Sequence, residues 1–260
     1  MDWTLDDLRE LLSIDWHAFI EEGIRNVPDS YYKPLEVDFI ANAGHAWLKE
    51  NEKEALAQYT ERDWCYELYH QLRLLLASMA EQNDIIKKVR LSGEPSKQAT
   101  YEAVRKRQIW QENSPVHENT GDDLVETEWT GKKNCRIPDI LLHDPAGEGY
   151  QIFAIEVKRA RQSGKLSNER LADDLTALAE YTTGLCYVYG FFIGLGLDKA
   201  ALDEALGGLA GRQLDKVNCA SDRIGIYLVN DGENPRGGRC IQRYDLDSSG
   251  TNLCLRNSNH

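Results

Sequence analysis

Three residues in two apolar segments have the types and the spacing that phosphodiester chemistry requires. Asp139 lies in the segment 136–143, and Glu156 and Lys158 end the segment 151–158. Because side chains alternate along a β-strand, Glu156 and Lys158 would project from the same face. Two carboxylates can share a divalent cation, and an amine beside them can orient water. The three residues therefore predict metal-assisted hydrolysis of a phosphodiester bond.

The elements that must position these residues are strands joined by short turns. Strand candidates lie at 124–130, 136–143 and 150–158, and the sequences between them are rich in Gly, Asn, Asp and Pro. Three such strands in succession predict an antiparallel meander. In that arrangement Asp139 reaches the same cation as Glu156 from the neighbouring strand.

Helical and strand patterns surround the predicted meander. The first 90 residues have mostly the apolar spacing of helices, and Thr4 is the predicted N-cap of the first. The polar segment 91–121 is predicted to be a loop or specificity insert, with a short helix or strand near 104–110 as an alternative within it. After the meander, the patterns predict in turn a helix at 168–182, a strand at 185–195, a helix at 198–209, a strand at 223–230 and a hairpin from 235. This order favours a mixed sheet with right-handed crossovers.

The chain carries the residues of a known motif in these settings: Pro138-Asp139, Glu156-Val157-Lys158 and, in the upstream helical segment, Glu67. They resemble the signature of the PD-(D/E)xK nuclease superfamily, which shares the restriction-endonuclease-like fold. The resemblance covers roughly residues 60–195. It implies an α/β fold with a restriction-endonuclease-like core, in which helices flank a mixed central β-sheet. An N-terminal helical extension would precede that core.

The resemblance also implies a role for each motif residue. Asp139, Glu156 and Glu67 would bind Mg²⁺, or Mn²⁺ in its place, together with the backbone carbonyl of Val157. Lys158 would act as the catalytic base or hold the attacking water. The residues alone leave alternatives open: Asp139 as a turn acceptor, and Glu156 with Lys158 as an exposed ion pair worth less than about 1 kcal/mol.

The choice of helix carboxylate is open as well. Glu61 could take the place of Glu67, and Glu67 could be solvated. The adjacent pair Asp173-Asp174 is interpreted as capping or solvating its helix. Substrate contacts to phosphate are predicted for five basic residues, for which ordinary solvated charges are the alternative: Arg159, Arg161, Lys165, Lys132 and Lys133.

Composition restricts the class of protein. The net charge of -13 over 260 residues argues against indiscriminate coating of nucleic acid. Charge is unevenly distributed, since residues 1–60 hold 13 acids and 5 bases whereas residues 129–165 hold 7 bases and 4 acids. The six cysteines form no Cys-x-x-Cys pair, which favours reduced thiols. The chain begins without a signal-peptide pattern and has no apolar run of ~18 residues, so we expect a cytoplasmic protein without membrane contact.

These observations predict a Mg²⁺-dependent endonuclease that acts on DNA. Residues 1–60 would form the helical extension, and residues 61–260 the nuclease domain. A homodimer would allow one site per chain to cut both strands. One alternative is a non-catalytic protein that uses the same fold to bind nucleic acid or a partner. Another is the nuclease component of a larger assembly, such as a defence system, in which the acidic N-terminal region docks a protein partner.

Overall fold

The computed structural model describes the following residues, with only the backbone along 50–60: 3–31, 50–93, 138–144, 151–160, 168–184, 187–230, 240–247, 250 and 252–256. In these residues the helices are α1 (Leu5–Ser13), α2 (Trp16–Asn26), α3 (Glu50–Gln82), α4 (Asn168–Thr183), α5 (Lys199–Gly207) and α6 (Arg212–Ala220). The strands are β1 (Arg90–Gly93), β2 (Ile140–His143), β3 (Gln151–Arg159), β4 (Tyr187–Leu195), β5 (Ile224–Asn230), β6 (Cys240–Leu246) and β7 (Leu253–Arg256). Short 3₁₀ turns occur at Asp29–Tyr31, Asp84–Lys88 and Ser221–Arg223.

The first helix begins at the cap that the sequence predicts. The Asp7 N–H donates to Thr4 Oγ1 at 3.1 Å, and the Thr4 N–H donates to Asp7 Oδ2 at 2.7 Å. This reciprocal pair is a capping box, which satisfies two donors that a bare helix end would leave without partners. The prediction for Thr4 is therefore confirmed.

The seven strands form one mixed sheet in sequence order, β1-β2-β3-β4-β5-β6-β7. Strands β1, β2 and β3 are mutually antiparallel, and β6 and β7 extend the other edge in the same way. In the centre, β3, β4 and β5 run parallel. Parallel neighbours need crossover connections, and α4 connects β3 to β4 while α5 and α6 connect β4 to β5. The predicted α/β class, with helices around a mixed sheet, is confirmed.

The first strand of the meander differs from the prediction. Residues 91–93 were assigned to a polar loop, but they belong to β1, in which Leu91 pairs with Leu142 of β2 and is 5% exposed. The strand has only four residues and one buried leucine, so its sequence shows no alternation of apolar and polar side chains that would predict a strand. The strand predicted at 124–130 lies outside the described residues.

Helices cover the two faces of the sheet. One face carries Phe153, Ile155 and Val157 and packs with buried residues of α1, α2 and α3. The opposite face carries Ala154 and packs with buried residues of α4, α5 and α6. Because β3 is covered on both sides, its apolar run is nearly continuous rather than alternating.

The N-terminal helices are part of the first of these layers. In α2, Trp16 and Phe19 pack on Phe153 of the sheet, with ring centroids 5.6 and 6.2 Å apart. Gly23 lets α2 approach α3 so closely that a Cβ there would stand 2.4 Å from a methyl of Leu72. The boundary predicted at residue 60 lies inside α3. The helices of the predicted extension therefore cover the sheet directly.

Candidate active site

Asp139 is held at the entrance to β2 by the backbone of β3. Its Oδ2 accepts a hydrogen bond of 2.7 Å from the Val157 N–H, and its own N–H donates to the Ile155 carbonyl at 3.0 Å. Val157 lies between Glu156 and Lys158, so this contact brings the Asp139 carboxylate next to both. The buried Pro138 precedes it in the chain.

Glu156 and Lys158 project together from the face of β3 that α4 covers, as the alternation of the strand predicts. Lys158 Nζ lies 3.0 Å from Glu156 Oε1. The Lys158 side chain is 19% exposed and that of Glu156 is 11% exposed. The pair is therefore not the solvated surface ion pair that the sequence left open.

Asp174 of α4 joins this pair, and sequence reasoning missed it. Its Oδ2 lies 3.9 Å from Lys158 Nζ, and its side chain is 9% exposed. The interpretation of Asp173 and Asp174 as capping or solvating their helix is corrected for Asp174, which faces the sheet. Asp173 is half-buried and accepts a hydrogen bond from Gln213. A signal existed, because Asp174 stands three residues after Leu171 on the apolar stripe of its helix.

The carboxylate that α3 brings to the site is that of Glu61. Its Oε2 accepts a hydrogen bond of 2.9 Å from the N–H of Arg159, the residue after Lys158. Glu67 is half-buried, and its Oε1 accepts from Gln71, one turn further along α3. Six residues advance a helix by about 600°, so the two glutamates point about 120° apart around its axis. We therefore correct the choice in favour of Glu61, the alternative that the sequence left open.

We call Lys158, Glu156, Asp139, Asp174 and Glu61 the Lys158 cluster. Burial raises the pKa of Glu156, and the nearby charge of Asp139 raises it further, although Lys158 opposes both. Burial also raises the pKa of Glu61. Burial works against the charge on Lys158, but Glu156, Asp174 and Asp139 overcome that effect and raise its pKa, so its amine is protonated at neutral pH. Four carboxyl groups thus share one ammonium.

The chemistry of the Lys158 cluster suits a hard divalent cation. Mg²⁺ and Mn²⁺ prefer carboxylate oxygens, and partly desolvated carboxyl groups whose pKa values are raised are stabilised by added positive charge. In the described part of the chain, no three His, Cys, Asp or Glu side chains are grouped in a way that could hold a metal ion. A cation at this cluster therefore requires its side chains to move, and the metal role of the Val157 carbonyl stays a prediction.

The thiol of Cys65 is close enough to the Lys158 cluster to interact electrostatically with its charges. Cys65 stands one helical turn after Glu61 on α3 and is 6% exposed. Burial raises its pKa well above the usual range, and the charge of Asp139 acts in the same direction. A neutral, buried thiol is a packing group rather than a nucleophile.

Of the predicted substrate contacts, the structure describes Arg159. Its guanidinium Nη1 donates to the carbonyl of Tyr31 at 3.4 Å, while its backbone N–H is used by Glu61. The other four lie outside the described residues: Lys132, Lys133, Arg161 and Lys165.

No helix of the described residues is both long enough and apolar enough to cross a membrane. Comparison of the chain with models of protein families, with curated proteins and with solved structures found no match in any of the three.

Proposed function

We propose that this protein is a metal-dependent nuclease that hydrolyses phosphodiester bonds, and that its sheet and helices form a restriction-endonuclease-like core. The observation that carries the proposal is the Lys158 cluster. It brings Glu156 and Asp174 to one protonated lysine, and it holds Asp139 and Glu61 on the backbone N–H groups of the residues on either side of that lysine. The PD-(D/E)xK resemblance implies a core with the chain order helix, three-stranded meander, helix and strand. The order α3, β1–β3, α4 and β4 matches it and supports the proposal.

The residues that would hold the cation are Asp139, Glu156 and Glu61. All three offer oxygen ligands, and Mg²⁺ usually takes one or two carboxylates together with water and substrate phosphate. A bound Mg²⁺ or Mn²⁺ would supply charge neutralisation at the phosphate and a more acidic water. The hydrogen bond from the Val157 N–H fixes the position of the Asp139 carboxylate beside Glu156.

Lys158 acts as a hydrogen-bond donor in this proposal. Because the surrounding carboxylates raise its pKa, it carries a proton at neutral pH and has no lone pair with which to take one from water. Its ammonium can hold a water oxygen or an oxygen of the scissile phosphate. Of the two roles that the family resemblance implies for Lys158, we therefore propose the positioning of water or phosphate.

We propose DNA as the substrate. A homodimer, with one site per chain, would allow both strands to be cut. The negative net charge of the chain favours a restricted contact with phosphate over broad binding. Basic residues that follow and precede the motif in sequence would supply that contact, beginning with Arg159, whose guanidinium is exposed and linked to the main chain of Tyr31.

A cleavage panel tests the proposal. Linear and circular DNA and RNA are incubated with Mg²⁺, Mn²⁺ or EDTA, and wild type is compared with Asp139→Asn and Lys158→Met. We expect cation-dependent cleavage by wild type and a loss of at least about 100-fold in Lys158→Met, the usual cost of removing one preorganised hydrogen-bond donor from an active site. Asp173→Asn is the matched control for the acid. Lys216→Met is the control for the lysine, because it breaks a comparable pair with Glu180 outside the cluster.

Two outcomes would reject the proposal. If wild type binds nucleic acid without cutting it in any cation, the alternative of a binding protein on the same fold is supported. If Lys158→Met cleaves as fast as Lys216→Met, the lysine has no part in the reaction, and residual cleavage would then point to another site or to contamination.

A further inference from the structure

We propose that Asp174 is a second docking position for the Lys158 ammonium, and that a divalent cation entering the site displaces this ammonium from Glu156 onto Asp174. The inference rests on the proposed function and extends it, since it assigns a role to a residue outside the metal-ligand set. Asp174 would be a positioning residue that acts through Lys158.

The distances define two positions for one amine. Lys158 Nζ is within hydrogen-bond distance of Glu156 Oε1, at 3.0 Å, and just beyond it from Asp174 Oδ2, at 3.9 Å. A shift of about 1 Å by the amine therefore exchanges the better partner, because a charged N–H···O hydrogen bond closes at about 2.8 Å. The flexible lysine side chain permits this shift without movement of the backbone.

The exchange is needed because the Lys158 ammonium and the divalent cation compete for the Glu156 carboxylate. In the structure its Oε1 binds the ammonium, and in the proposed function its carboxylate binds the cation. Two positive charges on one buried carboxylate repel each other strongly in a partly desolvated site. Cation binding therefore favours a conformation in which the ammonium has left Glu156. The free-energy cost of that change depends on which group binds the ammonium next.

Asp174 is suited to receive the ammonium because it is outside the proposed metal-ligand set and lies on the same face of the sheet as Lys158. Asp139 and Glu61 reach the cluster from β2 and α3, whereas Asp174 projects from α4 on the face of the sheet that also bears Lys158. Asp174 is buried, and a buried carboxylate is costly unless positive charge is near. After the exchange, the Lys158 ammonium no longer binds Glu156 and would be able to donate to water or phosphate.

A double-mutant cycle on cation affinity tests this inference without using cleavage. Binding of Mn²⁺ is measured by isothermal titration calorimetry, in the absence of nucleic acid, for four proteins: wild type, Lys158→Met, Asp174→Asn and the double variant. We expect Lys158→Met to bind Mn²⁺ more tightly, because a competitor for Glu156 is gone. We expect Asp174→Asn to bind about tenfold more weakly, a coupling in the normal range for charged residues in contact.

The decisive comparison is Asp174→Asn in the Lys158→Met background. If Asp174 acts through the lysine, this second change alters the affinity by less than about twofold. An equal tenfold loss in both backgrounds would show that Asp174 acts on the cation directly, and would overturn the inference. Asp173→Asn, a neighbouring acid of α4 outside the cluster, controls for the loss of charge from the helix.

Failure of this inference is distinguishable from failure of the proposed function. Cation binding with the expected coupling but without cleavage would reject the nuclease and leave the exchange in place. Cleavage with no coupling would do the reverse, and the absence of Mn²⁺ binding in every variant would reject both. Should Asp174→Asn fail to fold, Asp174→Ser removes the same charge with a smaller side chain and is measured in both backgrounds.

Discussion

His17 makes the stability of this protein depend on pH, and its replacement by asparagine measures how firmly α2 is docked on the sheet. The imidazole packs edge-on against Phe191 of β4, with ring centroids 5.1 Å apart. Its Nδ1 lies 2.9 Å from the Tyr227 hydroxyl of β5. Beneath it is Gly225, where a Cβ would stand 2.7 Å from the ring. His17 thus links the N-terminal helices to the central strands.

The environment of His17 disfavours its charged form. Burial lowers its pKa from 6.5 to about 4, and the guanidinium of Arg243 on β6 acts in the same direction, while Asp245 and Asp15 oppose the shift. Between these two pH values the unfolded chain binds a proton at this histidine and the folded protein does not. Stability from this group is therefore complete above about pH 6.5 and is lost progressively as the pH falls toward 4.

The size of the effect follows from the shift. At about 1.4 kcal/mol for each pKa unit, a full shift corresponds to about 3 kcal/mol. Because the His17 side chain keeps some contact with solvent, we expect this group to lower the free energy of unfolding by about 2 kcal/mol between pH 7 and pH 4.5. Asparagine places a polar atom near the position of Nδ1 and does not titrate in this range. The free energy of unfolding of the His17→Asn variant should therefore fall by about 2 kcal/mol less than that of wild type over the same interval.

The assay is urea unfolding at half-unit steps from pH 7.5 to pH 4.5, followed by circular dichroism. His70→Asn makes the same replacement at an exposed position of α3 and controls for the removal of a histidine. The informative quantity is the difference in unfolding free energy between wild type and His17→Asn at each pH. If that difference stays constant across the range, the histidine does not sense burial against the sheet, and the docking of α2 described above is refuted.

Two further predictions concern packing and the anchoring of the site. Gly23→Ala should destabilise the protein by about 1 kcal/mol, because overpacking against Leu72 exceeds the gain in helix propensity, whereas Gly207→Ala, with open space around its Cβ, should be neutral or stabilising. Equal stabilisation by both in thermal unfolding would contradict the close approach of α2 and α3. Asp139→Ala should cost about 1 to 3 kcal/mol in urea unfolding, because it leaves the buried Val157 N–H without the Oδ2 acceptor, and Asp139→Asn should cost less because it keeps an oxygen there. A larger loss in the asparagine variant would contradict this account.

Local patterns predicted much of the fold correctly. Alternation of side chains placed Glu156 and Lys158 on one face, and their contact at 3.0 Å agrees with it. The helix expected at 168–182 and the strand expected at 223–230 are present as α4 and β5. These features depend on residues a few positions apart, whose spacing is set by the backbone geometry of helices and strands. The helix α6, with few buried residues, was not predicted, since its short apolar pattern is weak.

The sequence by itself determined that Glu156 and Lys158 share one face of a strand and that Asp139 stands at the start of the neighbouring strand, because strand period and turn residues specify that arrangement locally. Only the tertiary structure decided which helix carboxylates join them. Glu61 and Asp174 come from α3 and α4, on opposite faces of the sheet, and they meet Lys158 and its neighbour only after both helices have packed. A periodic pattern shows which side of a helix is buried, but the element it packs against depends on contacts between distant parts of the chain.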